Sequence, residues 1–162
     1  MFPLLKIFKK RWILFDQAVS PYKPYVTVDY GVTSVSPRDI IGLSHTPKEI
    51  KNDEKMIELR KSVEAQGWDD DKLIADLHLI RLPNGKYTAI GDGNHLSYLS
   101  DQLDIPKVNA FVSILIPEEY IPENIKAEMA EYSNKEYLFE KRASTLLSLA
   151  KFLNLLPKTG KD

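Results

Sequence analysis

Between Leu77 and Ile116 the apolar and polar positions change period twice, and the elements follow from those changes. Leu77–Leu82 and Tyr87–Ile90 are short apolar runs on either side of Asn84-Gly85, which predicts two strands and a tight turn. Asn and Gly both tolerate positive φ, so a type I′ turn is expected there. After Gly91-Asp92-Gly93-Asn94-His95, the residues Leu96, Leu99 and Leu103 recur at helical spacing. Ile105-Pro106 ends that helix. Val108, Ala110, Val112, Ile114 and Ile116 then alternate with other residues, the mark of a strand with one buried face.

Upstream, Met56, Leu59 and Val63 form a stripe, widened by Ile57, that predicts a helix over about Asp53–Gln66. Asn52 or Asp53 is placed to cap it, and Gly67 to stop it. Val26, Val28, Val32 and Val35 suggest short extended pieces. At the start of the chain, Leu4, Leu5, Phe8, Trp12 and Phe15 can share a helical face among basic residues. Such an arm either meets a membrane surface or partner, or packs on its own domain. Pro21 and Pro24 break any helix before Tyr25. At the other end Pro122 opens a helix with Ile125 and Met129 inward. A second helix over about Lys135–Leu155 is apolar nearly all round, through Leu146, Leu147, Leu149, Phe152, Leu153, Leu155 and Leu156. That surface is either buried on the domain or forms an oligomer seam.

These patterns give an α+β (or α/β) fold: a small mixed sheet with packed helices and a helical C-terminal extension. The expected parts are a basic arm over residues 1–25, a domain over 26–120, and the extension over 121–162. Composition narrows the chemistry. There is no cysteine among the 162 residues, which removes disulfides, thiolate metal sites and sulfur nucleophiles, and suits a cytoplasmic location. No apolar run approaches the roughly 20 residues that span a bilayer. Charge is unevenly placed. Residues 1–25 carry Lys6, Lys9, Lys10, Arg11 and Lys23 against Asp16, whereas 26–134 carry 11 basic and 19 acidic groups. The last stretch is basic again. An acidic body disfavours strong non-specific DNA binding by the domain itself, while the basic ends can meet nucleic acid or an acidic partner.

The chemistry concentrates in the loop Gly91–His95. Two glycines let backbone N–H groups approach a ligand, and the helix that follows offers free donors and a positive end. Asp92 can act as a base, hold a metal or cap the helix; Asn94 can donate to a phosphate oxygen or cap; His95 can exchange a proton. The same composition is also ordinary turn chemistry. His78, on a strand face with Ile80 and Leu82, reads as a satisfied structural histidine. His45 falls in a loop beside Thr46-Pro47. Asp69-Asp70-Asp71 reads as a solvated turn without the spaced ligands of a calcium loop. Trp68 reads as a core plug rather than a stacking platform.

The order helix, Gly67-Trp68, strand–Asn-Gly–strand hairpin, Gly-Asp-Gly-Asn-His, helix, strand resembles the ParB/sulfiredoxin superfamily, over roughly residues 32–116. The resemblance implies a nucleotide or phosphate site at the loop. Asp92 and His95 would then be the catalytic residues, with Gly91, Gly93, Asn94 and His95 binding phosphate. It further implies Mg²⁺ accompanying a nucleotide, and nucleic acid as a partner. Two departures matter. Asn94 stands where sulfiredoxins carry their cysteine, which excludes that activity. Leu96 stands where many members carry a phosphate-clamping Arg. The acid for a kinase-like reaction would come from Glu49, Asp53 or Glu54. The alternative is a degenerate member working through protein–protein contact, as an oligomer or with a partner at the C-terminal helix.

Overall fold

The computed structural model describes residues 10–73, 76–91 and 93–158. In chain order the regular elements are β1 (Ile13–Leu14), α1 (Phe15–Val19), β2 (Tyr25–Val35), β3 (Ile40–Leu43), α2 (Pro47–Lys51), α3 (Glu54–Gln66) and α4 (Asp70–Leu73). There follow β4 (His78–Arg81), β5 (Tyr87–Ile90), α5 (Gly93–Gln102), β6 (Val108–Pro117), α6 (Glu123–Ser133) and α7 (Phe139–Phe152). The architecture is the expected mixed α+β fold, built on a 6-stranded sheet of order β1-β3-β5-β4-β6-β2. β1–β3, β3–β5 and β4–β6 are parallel; β4–β5 and β2–β6 are antiparallel.

The larger core lies on one face of the sheet. Val108, Ala110, Val112, Ile114 and Ile116 of β6 meet Met56 and Val63 of α3, Leu96 and Leu99 of α5, and Leu146 and Leu149 of α7 there. The second face carries a smaller cluster: Ile80, Leu82 and Leu115 under Ala18 and Val19 of α1. Leu115 is fully buried, so the C-terminal half of β6 is covered on both faces rather than one. Gly42 of β3 lies between the Thr88 side chain of β5 and α1: a Cβ there would lie 2.8 Å from that of Thr88 and 3.3 Å from that of Ala18.

Three local expectations are corrected. The turn between β4 and β5 spans Leu82–Gly85, closed by Gly85 N–H donating to Leu82 O at 2.9 Å. Pro83 and Asn84 occupy its centre and only Gly85 (φ 86°) is left-handed, so it is not a type I′ turn. Pro83 fixes a negative φ that suits the first central position and rules out its mirror image. The arm is not one continuous helix: Leu4, Leu5 and Phe8 lie outside the described residues, and Ile13–Leu14 is a strand edge on β3. Trp12 packs on the core, its ring 6.3 Å from that of Tyr98, with Lys10 Nζ 3.9 Å from the indole centroid. Finally, β2 is one long strand rather than pieces, with a bulge between Asp29 and Gly31.

The C-terminal helices resolve toward burial. Leu146, Leu149, Ala150 and Leu155 are in the core, while Phe139 and Phe152, at the two ends of α7, stand clear of it. Arg81 Nη1 donates to Leu155 O at 2.5 Å and pins the end of this segment to β4. No helix among the described residues is long and apolar enough to cross a membrane.

Candidate functional site

The parallel strands β3 and β5 end side by side, and each runs into a helix. In α/β sheets this carboxyl end is where ligands bind. β3 leads through Ser44, His45 and Thr46 into α2, whose first turn is capped by Thr46 Oγ1 accepting from Glu49 N–H. β5 leads through Gly91 into α5.

Asn94 holds these two ends together. It is 2% exposed. Its Oδ1 accepts from Ser44 N–H at 2.6 Å, and its Nδ2 donates to Gly91 O at 2.7 Å. Ser44 Oγ adds a bond to Ala89 O at 3.3 Å. The amide side chain is thereby turned to backbone rather than outward to a ligand. Gly93 is buried, and a Cβ on it would lie 2.7 Å from His78 O. Its role is to let the start of α5 touch the backbone of β4. Gly91 is different: it takes φ 54° with open space around it. Asp92 lies outside the described residues.

His95 is the loop residue that meets chemistry. Its Nε2 is 2.8 Å from Asp53 Oδ2. Asp53 is the N-cap of α3, where its Oδ1 also accepts from Lys55 N–H. The His95 hydrogen bond first, then that from Lys55 N–H, holds the Asp53 carboxyl below the ordinary carboxylate range. A carboxylate accepts and cannot donate, so Nε2 carries the proton and neutral His95 presents a bare Nδ1. This is the arrangement in which a carboxylate orients an imidazole and stabilises the imidazolium when it forms.

Of the three acids considered for this stretch, Asp53 is the one that reaches the loop. Glu49 pairs instead with His45, at 3.3 Å in an exposed contact. Beside the dyad is a cleft of about 280 Å³ lined by Lys55, Leu59, Leu73, Asp76, His95 and Leu96. Pockets for whole drug-sized ligands start at about 300 Å³; this one is slightly smaller, and its lining sets Lys55 and His95 beside Asp76 and three leucines. Leu96 is 3% exposed and belongs to the core. The cation at this cleft is Lys55, from the first turn of α3. No sequence motif marks Lys55, because its proximity arises from the packing of α3 on α5.

Asp69, Asp70 and Trp68 have structural roles. Asp69 Oδ1 accepts from Asp71 N–H at the head of α4. Asp70 Oδ1 accepts from both Trp68 Nε1–H and Asn109 N–H, each at 3.0 Å. Trp68 packs against the core. One ring nitrogen of His78, Nε2, is held by Ser113 Oγ at 3.0 Å. Among the described residues no group of three or more His, Asp or Glu side chains is gathered to hold a metal ion. No family model, no curated protein and no solved structure matches the chain.

Proposed function

We propose that the chain is a ParB-like domain that holds the phosphate end of a nucleotide at the carboxyl ends of β3 and β5, with His95 as its proton-exchanging group. The observation that carries this reading is the Asp53–His95 pair, set beside a small cleft at the head of α5. Backbone donors at the start of α5, the Lys55 ammonium and the His95 ring supply the attraction for phosphate. Mg²⁺ would enter with the ligand's phosphates rather than in a protein cage of its own. A cytoplasmic location and nucleic-acid contact through the basic ends accompany this reading. Contact of that kind must weaken steeply as salt rises.

Calorimetry with ATP, CTP and GTP, with and without Mg²⁺, tests the proposal. At least one nucleotide should bind the wild type, and His95→Ala and Asp53→Ala should each weaken it. Silence with all three removes the reading.

A second reading, a protein–protein interaction module, is favoured by the aromatics that α7 and its approach leave outside: Tyr137 at 77%, Phe139 at 52% and Phe152 at 86% exposure. It predicts a concentration-dependent mass by light scattering that Phe152→Asp lowers and His95→Ala leaves alone. A wild-type mass that stays constant with concentration would count against it.

A further inference from the structure

Three polar side chains on three adjacent strands form a row on the sheet face opposite α5. Ser113 Oγ of β6 donates to Asp29 Oδ1 of β2 at 2.9 Å, and His78 Nε2 of β4 lies 3.0 Å from the same Oγ. The face follows from the neighbours. His78 sits two residues before Ile80 and directly opposite Ile90, both in the smaller cluster, whereas α5 packs on the larger core. α1 covers this face at Ile80, Leu82 and Leu115, toward one end of the strands, while Val32, paired with Phe111 toward the other end, is 55% exposed. The bulge between Asp29 and Gly31 sits at the Asp29 position of the row, a device that commonly re-aims a side chain near functional sites.

The proton count fixes the tautomer. Ser113 has one proton, and a carboxylate can only accept, so that proton points at Asp29. Ser113 Oγ then accepts from His78, and Nε2 must carry the hydrogen. The neutral ring is left with a bare Nδ1. That nitrogen makes no hydrogen bond to the described residues, is not among the buried polar atoms left without a partner, and belongs to a half-buried ring. Phe111 stands edge-on to it, with ring centroids 5.0 Å apart, and Val32 neighbours Phe111 by register.

We infer that Asp29, Ser113 and His78 form a second ligand site, in which His78 Nδ1 accepts a hydrogen bond from a small neutral ligand carrying an O–H or N–H on a flat apolar body. Phe111, Val32 and Ile90 supply the surface for that body. A neutral donor is sufficient because the bare Nδ1 needs only one O–H or N–H, and the apolar body matches the apolar side chains on either side. This site is independent of the Asp53–His95 cleft.

Long-range ¹H–¹⁵N NMR of the imidazoles, above the titration of histidine, reads the tautomer directly, and titration with phenol against anisole reads the ligand chemistry. The expected result is a single Nε2–H form for His78 and a saturable phenol-induced shift at Nδ1 and at Phe111. Anisole, which has the ring without the donor, should give a much smaller shift. In Asp29→Ala the Ser113 proton is freed to turn toward His78, so a share of Nδ1–H should emerge and the phenol response should fall. An Nδ1–H form in the wild type, equal responses to phenol and anisole, or an unchanged pattern in Asp29→Ala would each overturn the inference.

Discussion

A Cβ on Gly93 would meet the carbonyl oxygen of His78 at 2.7 Å, and both partners are backbone that cannot step aside. Gly93→Ala is therefore expected to destabilise the fold by about 1–3 kcal/mol, the usual cost of forcing extra volume into packed structure. Urea denaturation measures it. Asn94→Ala strands the Ser44 N–H and the Gly91 carbonyl and should cost on the order of 1–3 kcal/mol by the same assay. Asp53→Asn keeps a capping side chain but removes the charge facing His95. The folded state depresses the Asp53 carboxyl, so its contribution is present above the ordinary carboxylate range and is lost as pH falls through the depressed value. The gap between the urea midpoints of wild type and Asp53→Asn should be open at neutral pH and close in strong acid. A gap that survives acid would mean that the charge is not its source. At this scale composition marks Gly91–His95, the loop whose His95 meets Asp53. Composition leaves open what each residue does there. Asn94 as a brace and Asp53 as the partner of His95 depend on contacts 50 and 42 residues apart, which no local pattern encodes.

Helix ends tell a related story one level up. α5 and α7 both finish with a left-handed residue, Asp104 at φ 52° and Asn154 at φ 60°. In each, paired backbone bonds close the last turn: Ile105 N–H to Ser100 O, and Leu155 N–H to Ala150 O. Asn154→Ala loses the side chain best suited to that conformation and should cost roughly 1 kcal/mol, read as a lowered thermal midpoint. The elements themselves were largely legible. α3 with its Asp53 cap, the β4–β5 hairpin, α5 and β6 are all set by apolar periodicity and breakers that act locally. The failures have physical reasons. Pro83 overrode the Asn-Gly turn signal. The amphipathic pattern around Trp12 serves a core contact next to an edge strand. Leu115 is buried because α1 folds over the second face, a long-range event invisible in the alternation of β6.

At the scale of the whole molecule, α7 is part of the core. Leu146 is fully buried among residues of the sheet and the other helices. Leu146→Ala should destabilise by about 2–5 kcal/mol, the range for emptying a packed leucine site. Removing residues 139–158 would bare that face and yield an aggregating chain; a folded, monomeric truncation would show that α7 is dispensable.

β6 has a consequence in time. It is hydrogen-bonded to β4 on one side and to β2 along its whole length on the other, and its side chains enter both clusters. Its amides can be released only when both neighbours and both layers let go, which is close to global unfolding. In deuterated water the protons of Val112–Ile116 should therefore be the last to leave. Those of the bulge near Asp29 and of the two-residue edge at Ile13–Leu14 should go first, so the sheet would lose its label from the rims inward.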